Sequence, residues 1–72
     1  MDDELLTADE VAERLRTTAR FVRRLVAERR IEYVKVGRLV RFEPRALAEY
    51  IERNRVVPVS RAEIRRRLRE AA

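Results

Sequence analysis

Seventy-two residues make one domain near the lower limit of independent stability, with room for a single small core and none for a deep catalytic pocket. The chain has neither cysteine nor histidine, which removes disulfides, thiolate metal sites, the commonest zinc ligand and the commonest general base. Its net charge of +5 is sorted by position: residues 1–13 hold acids and no base, whereas residues 14–41 hold ten bases against two acids.

The hydroxyls that remain, on Thr7, Thr17, Thr18 and Ser60, have no recognisable activating base. The sequence therefore reads as non-enzymatic, with no cofactor and no metal site. No apolar run approaches the ~18–20 residues of a membrane span, and the acidic start is unlike a signal peptide. A cytoplasmic protein is expected. All but one of the 18 bases are arginine. That bias suits bidentate contacts to guanine and phosphate, and it equally suits a GC-rich coding genome.

Asp2, Asp3 and Glu4 read as a solubilising start. Thr7-Ala8-Asp9-Glu10 is a capping box that opens a first helix, with Val11, Ala12 and Leu15 on its inner face. Leu5 or Leu6 is placed to staple onto Val11 or Ala12. Thr17 or Thr18 caps a second helix almost at once, with Val22, Leu25 and Val26 inward and Phe21 closing the edge of the core. On a helical wheel Arg20, Arg23 and Arg24 fall on the opposite face, with Ala19 at its margin. From Arg14 to Ala27 there is no acid, so this face repels itself unless a polyanion relieves it. Two helices joined by so tight a turn must cross steeply, as in a helix-turn-helix with the second helix as reader.

Tyr33–Val36 and Leu39–Phe42 are short β runs joined by Gly37-Arg38, the chain's one glycine standing where a two-residue hairpin needs positive φ. The hairpin lifts Arg38 on its tip as a wing. Lys35 and Arg41 are expected on one strand face, opposite Val34, Val36, Val40 and Phe42, touching phosphates. Pro44 opens a third helix with Leu47, Tyr50 and Ile51 inward, and Asn54 ends it. The expected fold is thus mainly α with a small β-hairpin: a winged helix-turn-helix over residues 1–54. Residues 55–72 form a proline-broken connector and a short helix opened by Ser60-Arg61-Ala62-Glu63. That helix is too weakly apolar to persist alone, so something must cover Val56, Val57, Val59, Ile64 and Leu68. For Arg65-Arg66-Arg67, extra phosphate contacts, a neighbouring protomer and a solvated helix compete, and a protein contact through those apolar residues is favoured.

Leu5–Leu15, Phe21–Val26, Val34-Lys35-Val36-Gly37-Arg38, Phe42 and Leu47–Ile51 together resemble the excisionase family, MerR-like winged-helix proteins that include phage excisionases and AlpA-type regulators. The resemblance covers about residues 5–53. It implies double-stranded DNA as partner, read by Thr18, Ala19, Arg20, Arg23 and Arg24 and by the hairpin residues Lys35, Gly37, Arg38 and Arg41, the wing tip entering the minor groove. It further implies copies arrayed head-to-tail on repeated sites, DNA bending, and an integrase directed toward excision. An AlpA-like regulator, or a protein-interaction module of antitoxin or anti-integrase type, is the alternative. Arg16 and Arg29 stand where this family usually carries glycine. Arginine disfavours positive φ, so both turns are expected to depart from the family's and the second helix to run longer.

Overall fold

The computed structural model describes residues 4–71, so Asp2 and Asp3 lie outside the described residues. In chain order it contains α1 (Ala8–Leu15), α2 (Ala19–Ala27), β1 (Val34–Val36), β2 (Leu39–Arg41), α3 (Pro44–Arg53) and α4 (Arg61–Ala71). This is a winged helix-turn-helix followed by a C-terminal helix.

The capping box at α1 is complete. The Glu10 amide donates to the Thr7 hydroxyl at 3.1 Å, and the Thr7 amide donates to Glu10 Oε1 at 2.9 Å. Leu6 rather than Leu5 provides the staple: Leu6 is buried beside Val11 and Ala12, while Leu5 is exposed. Leu6 also pairs with Phe42 as an antiparallel bridge, through amide–carbonyl bonds of 2.7 and 2.8 Å in the two directions. The entry to α1 and the exit from the wing are thereby tied together across the core. Val22, Leu25, Ile31, Phe42 and Leu47 complete that core.

Both helices of the reader unit end in the same way. Arg16 and Arg29 have φ of 58° and 55°, so each arginine takes up the left-handed conformation that glycine would occupy. After α1, the Thr17 amide reaches Ala12 O and the Arg16 amide reaches Glu13 O; after α2, Arg30 reaches Leu25 O and Arg29 reaches Val26 O. These are two Schellman motifs, and the four bonds they supply offset the cost of a side chain at positive φ. The expectation of altered turns and a longer second helix is therefore overturned: α2 stops at Ala27.

Three inward assignments also change. Phe21 is 38% exposed and lies outside the core. In α3 Ala46 is buried beside Leu47, Tyr50 is half-buried, and Ile51 is 42% exposed, so the inner face is rotated back from Ile51. In the hairpin the register sets Lys35 opposite Val40 and Val34 opposite Arg41. Residues directly opposite share a face, so Lys35 and Arg41 lie on different faces.

Arg45, in the first turn of α3, meets Glu32 at 2.6 Å, Glu49 at 3.0 Å and Glu43 at 3.2 Å. It ties the loop that leads into the wing to the helix that follows it. The bond to Arg45 also holds the Glu32 carboxyl below its ordinary pKa. Beyond Asn54 the packing ends. No described residue of α4 is buried, and Val56, Val57 and Leu68 are well exposed. The radius of gyration, 16.9 Å, is well above the about 11 Å of a compact chain of this length.

Candidate nucleic-acid interface

The reader helix begins at Thr18, whose hydroxyl accepts from the Phe21 amide at 3.1 Å. No acid stands in its first turn, so nothing neutralises the positive end of its dipole. Arg20, Arg23 and Arg24 are exposed along its outer face, while Ala19 is half-buried against the core. Arg20 and Arg24 flank a shallow cleft with Thr17, Thr18 and the exposed Phe21. Phe21 is the residue that wheel reasoning placed wrongly: an aromatic at a boundary angle reads as core by composition, and only packing decides.

A second cleft joins helix to wing. Arg23, Val26 and Ala27 of α2 face Val40 and Arg41 of β2 across it, so Arg23 and Arg41 border one surface. The Arg41 guanidinium donates to Val40 O at 2.8 Å, which folds this half-buried side chain along its own strand. Its charge is felt by α1: the two hydrogen bonds with Thr7, then the charges of Arg14 and Arg41, keep the Glu10 carboxyl below its ordinary pKa. At the tip Gly37 has φ of +63° and Arg38 does not share the positive φ, the pattern of a type II′ turn. Gly37 and Arg38 are both exposed.

The ion pairs among the described residues all fall on bases outside the reader helix and hairpin. Arg30 pairs with Glu28, Arg45 with three glutamates, Arg55 with Glu52 and Arg67 with Glu63. Among the described residues, none of Arg20, Arg23, Arg24, Lys35, Arg38 and Arg41 pairs with a carboxylate. The bases of the reader helix and hairpin thus hold no direct ion pair, although Asp9 lines the cleft that Arg23 and Arg41 border. Among the described residues no acidic, histidine or cysteine cluster could hold a metal, and no helix is long and apolar enough to cross a membrane.

A short capped helix, a tight turn, an acid-free reader helix and a basic hairpin define a DNA-binding module. Residues 5–55 match the family model described as a helix-turn-helix domain, and the chain belongs to that family, which includes excisionase-like small DNA-binding proteins. No curated protein and no solved structure matches the chain. Membership carries sequence-specific DNA binding and a typically non-enzymatic role.

Proposed function

We propose that the chain is an architectural DNA-binding protein of the excisionase type, which loads cooperatively on repeated sites, bends the duplex and directs a phage integrase toward excision. In this reading α2 lies in the major groove. Thr18 and Ala19 stand at its entry, Arg20 and Arg24 flank it, and Arg23, central on the exposed face, reaches a base edge. Gly37 carries Arg38 into the minor groove, where a narrow A·T-rich segment has enhanced negative potential. Lys35 and Arg41, from different faces of the hairpin, meet phosphates on either side. Copies contact one another head-to-tail through Val56, Val57, Val59, Ile64 and Leu68 of the tail.

The observation that supports this reading most directly is the set of six bases on reader helix and hairpin with no carboxylate partner. They contribute about −5 to the log–log salt slope of binding, at ~0.9 per neutralised phosphate. The test is footprinting on attachment-site DNA, together with an excision assay using the integrase of the same element. Protection of repeated sites and stimulated excision are expected. Protection confined to a promoter would make the chain an AlpA-like regulator instead, and a slope shallower than about −2 would remove the central block from DNA.

A further inference from the structure

The tail helix has two different arginine populations. Arg67 is held by Glu63 at 3.1 Å, one turn earlier on α4. Arg65, Arg66 and Arg69 lie elsewhere on the wheel, three, four and seven residues beyond Ala62 and therefore on the face centred on it. Among the described residues none of the three pairs with a carboxylate. The small side chain of Ala62 leaves a shallow groove on each side. One is lined with Arg65, Leu68 and Arg69, the other with Arg66, Arg69, Ser60 and Glu63, whose carboxylate is engaged by Arg67. Arg69 borders both. Ile64 and Ala71 point to the other side of the helix, while Leu68 stands at the border, beside Arg65.

We propose that this face of α4 is a second, sequence-independent contact to the DNA backbone, lying outside the helix-turn-helix. Three guanidinium groups within two turns repel one another, and a phosphate chain relieves that repulsion through bidentate bonds. The low floor at Ala62 lets the backbone approach between them. From Ala62 to Arg69 the helix rises ~10 Å, which matches about three successive phosphates of one strand at ~3.4 Å each along the duplex axis. The connector Arg55–Ser60 is exposed apart from a half-buried Val59 and makes no regular structure. Extended at ~3.3–3.6 Å per residue, it carries α4 as far as about 20 Å from the end of α3. The tail then steers the chain to DNA and holds it there while the reader helix samples sequence.

This inference rests on the DNA-binding reading, and the experiment separates the two. The full chain is titrated onto a duplex bearing one site, over a range of salt, so that no neighbouring copy contributes. The wild-type slope tests DNA binding itself; the change on substitution tests the tail. Arg65→Ala/Arg66→Ala/Arg69→Ala should flatten the slope by about 2 to 3, at ~0.9 per phosphate, and weaken cognate and random duplexes by the same factor. Alanine is the strongest helix former, so far-UV helicity should be kept. The triple lysine variant should retain the slope, and Ile64→Ser, on the far side of the helix, should leave it unchanged. An unaltered slope in the alanine variant, with cooperative loading lost on a multi-site fragment, would make this face a protein contact. Unaltered slope and unaltered loading would make it a solvated surface. Flattening in the serine variant equal to that in the alanine variant would overturn the role of the arginine face.

Discussion

Arg16 and Arg29 occupy backbone positions that a left-handed residue must fill, at φ of 58° and 55°. Holding an L side chain there costs roughly 1–2 kcal/mol, partly returned because arginine loses less backbone freedom on folding than glycine. Arg16→Gly and Arg29→Gly should therefore each raise stability, by about 1 kcal/mol, in denaturant melts; no gain at either site would show the turn to be unstrained. That both turns need a left-handed residue was legible by resemblance. That arginine would accept it was not, because φ here is fixed by the paired Schellman bonds and by the buried residues on either side. At the interface, roles separate by substitution. Arg23→Ala should remove discrimination at one base pair, about 1–3 kcal/mol on a cognate site and less on random DNA. Arg38→Ala should weaken sites with A·T-rich flanks most. Equal losses on every duplex would mean that neither arginine reads sequence.

Single elements were easiest to read where side chains dictate backbone, as at the Thr7–Glu10 box, Thr18, Gly37 and Asn54. Faces were harder. A two-residue turn at Gly37-Arg38 already dictates that Val36 faces Leu39 and Lys35 faces Val40. Alternation within runs of four residues is a weaker guide, and it wrongly joined Lys35 to Arg41. Ile51 and Phe21 show the same limit, since a helix face is apolar over a wider arc than the core covers. The start of α1 makes a pH prediction. Glu10 is bonded as a carboxylate to the Thr7 amide, and its pKa is lowered from 4.5. An acid with a depressed folded pKa adds stability that is fully present above its unfolded pKa and is lost as pH falls through the folded one. Thermal melts should therefore show wild type losing more on acidification than Glu10→Gln, which keeps a neutral acceptor at the box. Identical acid dependence would mean that the carboxylate charge adds nothing to this cap.

At the scale of the whole chain, the winged domain is self-contained in its packing and the tail is not. Leu6, Phe42 and the two reader-unit helices close the core, whereas no described residue of α4 is buried. Sequence showed a helix there, by its Ser60 cap and Ile64–Leu68 spacing, but no local signal encodes where a helix without a buried stripe will lie. The two sides of that helix have different work in the reading given above. Its arginine face adds affinity for any duplex, and its apolar stripe, with the connector valines, adds affinity for the next copy. A contact between different patches of identical chains propagates wherever its rotation does not close a ring, and a linear row of repeated sites holds it open. Each contact can be weak, because neighbouring sites hold the partners at high effective concentration. The two effects are separable by experiment. Ile64→Ser/Leu68→Ser should leave single-site affinity within a few-fold while abolishing cooperative loading on a fragment with several sites. The spacing between sites should then cease to matter for the variant, whereas wild type should lose its cooperativity only when sites are moved apart. Undiminished cooperativity in the serine variant would place the contact between copies on the winged domain, where Leu5, Phe21, Val36, Leu39 and Ile51 are exposed apolar residues available to make it.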